Sequence, residues 1–162
     1  MREIYLIDTS VFCRILRVPN MCSDHEHTAA LAEMVRLTSR DGITITLLLP
    51  MATIYETGNH IAQNGDGNVK RKAALRFTQQ VQATFSGLAP WTPTPLPELR
   101  DMSAWLAEFP DRAMAGVGLG DLSIIKTFEQ QCELNPLSRV RIWSYDADLG
   151  GYDRQPTGSL AS

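Results

Sequence analysis

Ile4-Tyr5-Leu6-Ile7 is an unbroken run of four apolar residues rich in β-formers, and it stops abruptly on Asp8-Thr9-Ser10. Such a run reads as a short strand buried on both faces. A lone carboxylate at the end of a buried strand is costly unless it finds a partner. In parallel α/β sheets, ligands bind outside the carboxyl ends of the strands. Asp8 is therefore either a helix cap or the first piece of a site.

The pattern that follows alternates helices with strands. Val11–Leu16 suits a short helical turn closed by Pro19-Asn20. Ser23 and Glu26 have capping-box spacing, and the helix they open carries Ala30, Leu31, Met34 and Val35 on one face, ending near Gly42. Ile43–Leu49 is a second apolar strand, broken at Pro50. Thr53 and Glu56 repeat the capping-box spacing, so a helix is expected from there to about Gln63. Asn64–Asn68 reads as a loop. Ala74, Phe77, Val81 and Phe85 then recur at helical spacing. Four prolines around Trp91 make an extended connector that permits an edge strand but no central one. Leu99, Met102, Leu106 and Phe109 define a helix closed by Pro110; Gly116–Gly120 turns into another, with Asp121, Ile125, Phe128 and Cys132 along one stripe. Arg139–Ser144 is the last strand. Strands separated by helices imply crossover connections, hence an α/β fold: a three-layer α/β/α sandwich on a mostly parallel central sheet. One domain is expected over residues 1–152, with a flexible polar tail over 153–162.

The length of 162 residues suits a single core. A net charge of −3 argues against a broad basic face that grips nucleic acid non-specifically. Cys13, Cys22 and Cys132 are odd in number and scattered, which fits free thiols in a reducing compartment and neither a disulfide framework nor a zinc site. No apolar run is long enough to span a bilayer, and no signal segment is visible, so a cytoplasmic protein without a membrane partner is expected.

Four acidic residues stand out by position. Asp8 ends the first strand, Glu56 lies early in the helix after the second, Asp121 opens the helix before the last strand, and Asp146 follows that strand. In a parallel sheet these positions share one edge. Carboxylates gathered there repel one another unless a cation sits among them. Mg²⁺ takes oxygen ligands and keeps waters for a substrate to displace; an ion so held can activate water for attack on a phosphodiester. Each residue also has a plainer role. Glu56 can close the capping box with Thr53, Asp121 can complement a helix dipole, and Asp8 and Asp146 can be turn residues.

Ile7-Asp8-Thr9-Ser10-Val11, the Glu early in the helix after strand two, Gly120-Asp121, and Ser144-Tyr145-Asp146-Ala147-Asp148 together resemble the PIN domain, a ribonuclease family that includes VapC-type toxins. The resemblance runs from residue 3 to about 150. It implies an endoribonuclease whose carboxylates Asp8, Glu56, Asp121 and Asp146 carry catalysis with Mg²⁺ or Mn²⁺. Asp8, Asp121, Asp146 and Asp148 would be the ligands, and Thr9, Ser10 and Ser144 the supporting hydroxyls. It further implies an RNA substrate and, for a toxin, a cognate antitoxin protein; a homodimer stays open. The proline-rich connector and the tail depart from the compact toxins. Two alternatives remain: a non-catalytic PIN-like scaffold, and a nuclease for DNA or cellular RNA outside any toxin system.

Other groupings have weaker chemistry. Asp24-His25-Glu26-His27 alternates faces at a helix start and reads as a solvated turn. Gly116-x-Gly118-x-Gly120 lacks both the preceding strand and the Lys-Ser/Thr of a phosphate loop. Lys70, Arg71, Lys72 and Arg76 either pair with RNA phosphates or form a solvated helix face.

Overall fold

A computed structural model of the chain describes residues 1–158. In chain order the elements are β1 (Arg2–Ile7), α1 (Thr9–Leu16), α2 (Asp24–Thr38), β2 (Thr44–Leu49), α3 (Met51–Gln63), α4 (Gly67–Phe85), β3 (Trp91–Pro93), α5 (Leu99–Met114), α6 (Leu119–Leu134), β4 (Arg139–Trp143), α7 (Ala147–Gly150) and β5 (Asp153–Arg154). The sheet runs β3-β2-β1-β4-β5. Its first four strands are parallel, and β5 lies antiparallel on β4. The fold is thus α/β with a mostly parallel five-stranded sheet.

β1 occupies the centre because its side chains are apolar on both faces. Tyr5 and Ile7 join Leu47 and Leu49 in one core, filled from α1 by Val11 and Phe12, from α2 by Ala30 and Leu37, and from α3 and α4 by Ile54, Ile61, Ala73 and Val81. Ile4 and Leu6 join Leu48, Val140 and Ile142 in a second core, closed by Ile124, Ile125 and Phe128 of α6 and by Leu149. Helices on both faces are compatible with a three-layer sandwich. Phe12 is fully buried and meets Trp91 and Phe77 edge-on, with ring centroids 5.8 and 6.4 Å away. Truncating such a residue to Ala costs roughly 3–5 kcal/mol. From β1 the chain builds β2 and β3 on one side, then returns to place β4 on the other. The strand order therefore reverses between β1 and β4, the place where open α/β sheets leave a crevice.

Glu3 is a buried charge on the central strand. Burial opposes its ionisation, but the Tyr5 hydroxyl (2.6 Å) and two bonds from the Arg40 guanidinium (2.8 and 3.2 Å) outweigh it and hold its carboxyl below the usual range.

Several local expectations are corrected. α1 makes two full turns and ends at Arg17, whose backbone turns left-handed (φ 53°), before Pro19 is reached. The Ser23–Glu26 capping box forms, with both bonds at 3.1 Å. α2 nevertheless stops at Thr38, four residues before Gly42, and Val35 faces solvent. The Thr53–Glu56 box does not form. α3 starts earlier, behind Pro50, and the Thr53 hydroxyl donates to the Ile7 carbonyl instead (2.7 Å). α4 begins at Gly67 because Asp66 caps it through the amides of Asn68 and Val69, and Phe85 is exposed at its far end. α5 runs through Pro110 to Met114. Residues 153–157 are no loose tail. Asp153 and Arg154 pair with Arg141 and Val140, the Arg139 guanidinium grips Asp153 at 2.6 and 2.9 Å, and Arg154 donates to the carbonyls of Cys132, Asn135 and Pro136. The end of the expected tail, residues 159–162, lies outside the described residues.

Candidate functional site

The β1/β4 switch gathers hydroxyls and carboxylates. Asp8 follows β1, is only 4% exposed, and caps α1. Its Oδ2 accepts from the Ser10 hydroxyl (2.8 Å), the Ser10 amide (3.3 Å) and the Ser144 hydroxyl (2.7 Å). Oδ1 takes no protein donor among the described residues. The cap thus draws on Oδ2 and leaves Oδ1 for the site role. The parallel register that sets Ile7 beside Trp143 brings Ser144 level with Asp8, and the Asp8 amide donates to the Trp143 carbonyl at 3.0 Å. The Tyr145 amide closes the seam on Ser10 Oγ (3.0 Å), and the Asp146 amide donates to Ser144 Oγ (2.9 Å).

Glu56 sits where α3, leaving β2, passes over α1. The Thr9 hydroxyl donates to Glu56 Oε2 at 2.8 Å. The other oxygen, Oε1, lies against the backbone of Gly120, so close that a Cβ there would clash with it. Gly120 therefore lets the first turn of α6 approach Glu56, and Asp121 follows at once. Burial pushes the Asp121 carboxyl up to about 6, and the charges of Glu56, Asp8, Asp146 and Asp148 push the same way. Asp146 and Asp148 are exposed; Asp146 caps α7 by accepting from the Asp148 amide at 2.9 Å.

The other four acidic residues singled out in the sequence thus all act on Asp121. None of the five forms an ion pair with Lys, Arg or His among the described residues. The chain matches no family model, no curated protein and no solved structure. The site must therefore be judged on its own geometry. Its donors are hard oxygens, the chemistry a divalent cation such as Mg²⁺ requires. Its spacing is looser than its chemistry: among the described residues, no three His, Cys, Asp or Glu side chains are grouped closely enough to hold a metal ion.

The basic cluster does not join this crevice as a unit. Arg76 is spent on the end of α1, donating to the carbonyls of Leu16 and Arg17 at 3.3 and 3.1 Å. Lys70 and Arg71 border an open apolar groove between α3 and α4, beside Gly58, Ile61 and Phe77. The Asp24–His27 turn is likewise structural. Asp24 pairs with Arg17, Glu26 with Arg14, and His27 Nδ1 lies 2.6 Å from the Arg14 carbonyl.

Two features of the site had no signal in the sequence. One is the Thr9–Glu56 bond across 47 residues. The other is Arg14, whose guanidinium stacks 3.9 Å from the ring centroid of Tyr145 and so ties α1 to the loop carrying Asp146.

Proposed function

We propose that the chain is a metal-dependent endoribonuclease of PIN-like, three-layer architecture that hydrolyses RNA phosphodiester bonds with Mg²⁺ or Mn²⁺. The observation that carries this reading is the set of five carboxylates at the strand-order switch, with no cationic side chain among the described residues paired to any of them. Asp8, Asp121, Asp146 and Asp148 would hold the ion. The ion supplies charge for the phosphate and acidifies water. The side chains do the positioning. Asp8 is locked by two hydroxyls and an amide, so its free Oδ1 is fixed in place. Thr9 fixes Glu56 through Oε2, leaving Oε1 as the atom to accept a proton from the attacking water. Ser10 and Ser144 share Asp8 and hold the β1 and β4 ends together.

The resemblance of the motifs to VapC-type toxins supports a toxin role with an antitoxin protein as partner. A second reading, a PIN-like scaffold without catalysis, is favoured by the lack of a tight ligand group among the described residues. Purified protein should cut single-stranded RNA with Mn²⁺ and leave single-stranded DNA of the same sequence intact. EDTA and Asp8→Asn should each abolish cutting. Cleavage that survives chelation and is unchanged in Asp8→Asn would overturn the metal mechanism. No cleavage in wild type, with no Mn²⁺-induced rise in melting temperature, would establish the scaffold.

A further inference from the structure

α6 and α7 pack on one face of β4 and leave the other half open. Successive side chains of a strand point to opposite faces. Val140 and Ile142 are buried in the core that α6 and α7 close, while Arg139, Arg141 and Trp143, on the alternate positions, stay half-exposed. Trp143 borders the core that α1 fills, so the open face lies on the α1 side of the sheet. On that side Glu3, Glu26 and Asp153 are matched by Arg40, Arg14 and Arg139 at 2.8, 2.6 and 2.6 Å. Arg141 is left over. It reaches Asp153 at 3.2 Å, an anion already held by two bonds from Arg139, and its buried Nε has no hydrogen-bond partner among the described residues. The Tyr5 ring, whose centroid is 5.8 Å from the Arg141 Cζ, holds the guanidinium against the sheet.

Two residues beyond Trp143, the open face ends on Tyr145, beside the acidic site. The Tyr145 amide donates to Ser10 Oγ, and one face of the ring lies on the Arg14 guanidinium, 3.9 Å from the centroid. Arg14 is in turn held by Glu26, whose other carboxylate oxygen closes the cap of α2. Yet Tyr145 remains 40% exposed and belongs to neither core, so core packing does not account for the bracing. We infer that Tyr145, backed by Arg14, is a stacking platform for the RNA base next to the cleaved phosphodiester, and that the strand reaches it along the open face of β4, with Arg141 on a phosphate. The inference rests on the nuclease reading for its substrate. Single-stranded bases stack on aromatic side chains with little regard to sequence, and an arginine fork suits a phosphate. Ser144 and Asp146 flank Tyr145 in the chain, so a base stacked on the ring keeps its phosphate near the carboxylates of Asp8 and Asp146.

Binding is measured on the full chain carrying Asp8→Asn, which should leave RNA uncut, by fluorescence anisotropy of a labelled single-stranded oligoribonucleotide with Mn²⁺ over a range of salt. Adding Tyr145→Ala should weaken binding about 5- to 150-fold, the worth of one lost base stack, with the salt slope unchanged. Tyr145→Phe should bind as its parent does, because the ring is kept. Arg141→Gln should instead reduce the salt slope by about 0.7, the value for one phosphate contact on a single strand. Both positions reach solvent, and unchanged melting temperatures show that the variants are folded. A Tyr145→Ala protein that binds like its parent, a Tyr145→Phe protein that loses as much as the Ala variant, an unchanged slope in Arg141→Gln, or a parent that binds no RNA would each overturn the inference. Failure of the nuclease reading looks different: a wild type that cuts no RNA, while the Tyr145 and Arg141 variants shift binding as described, leaves the platform standing without the chemistry.

Discussion

Asp121→Asn should make the metal-free protein more stable, and by an amount that depends on pH. The wild-type carboxyl is raised from 3.8 to about 6 by burial and four neighbouring carboxylates, and it makes no hydrogen bond that the amide would lose. A rise of that size corresponds to about 3 kcal/mol, and solvent screening of a half-buried group reduces this to about 1.5 kcal/mol. For a chain of this size that is a rise in Tm of about 3–6 °C. The sign follows from proton linkage. The folded carboxyl keeps its proton to higher pH than the unfolded one, so its contribution is intact below 3.8 and is lost as the pH rises through about 6. The amide is neutral throughout. Wild type and variant should therefore melt together below about pH 4, diverge as the pH rises toward 6 and keep a constant gap above that, the variant melting higher. Differential scanning calorimetry in EDTA across that range measures the gap directly. A variant that melts lower at pH 8, or a gap that does not change with pH, would refute the electrostatic argument and make Asp121 a structural residue.

Glu56→Gln should leave the melting temperature nearly unchanged, because the amide oxygen still accepts from Thr9, while RNA cleavage falls by about a hundredfold or more for want of a base; equal rates on a folded variant would remove Glu56 from the chemistry. Gly120→Ala should displace the Glu56 carboxylate, a flexible group, and so lower the cleavage rate while melting within a few degrees of wild type; cleavage and melting on one preparation check this, and full activity would show that Glu56 Oε1 has no fixed role. Lys70→Ala with Arg71→Ala should flatten the salt dependence of RNA binding, reducing the slope by roughly one for every phosphate left without its cation, if these residues reach phosphate; an unchanged slope in a filter-binding titration leaves them as the rim of the α3–α4 groove.

The parts of the fold that can be read from the chain are those governed by short-range patterning. Ile4–Ile7 is apolar at every position because both faces of β1 are covered, and the edge placement of Trp91–Pro93 follows from prolines that cannot donate to a ladder. Local patterning misleads wherever a distant partner outcompetes a near one. Thr53 has the spacing of a cap, but the Ile7 carbonyl at the end of β1 is a better partner once α3 docks, so the capping box fails and Glu56 is released to Thr9. Arg154 looks like part of a polar tail until three carbonyls at the end of α6 and beyond are found to need a donor. In α5 the apolar spacing is legible, but of Leu99, Met102, Leu106 and Phe109 only Met102 and Phe109 are half-buried, and periodicity does not say where along a wide apolar stripe the rest of the protein will cover it. For the site, the carboxylates are visible as strand-end and helix-start residues. The bonds that orient them, from Ser144 to Asp8 and from Thr9 to Glu56, join residues 136 and 47 positions apart and leave no trace in local sequence.

The central position of β1 also has a consequence during synthesis. Asp8 leaves the ribosome well ahead of the Ser144 hydroxyl that holds it, which arrives 136 residues later. At 5–20 residues per second, that delay is on the order of ten seconds. Meanwhile β1 can pair with β2 and gather α1 to α4 on one face, but its other edge stays open and the α6 face stays unbuilt until β4 slides in beside it. Slow closure through such a non-local pairing is expected. The acidic crevice is then a late product of folding, and a nascent or truncated chain cannot display it, since half its wall is the last parallel strand to be made.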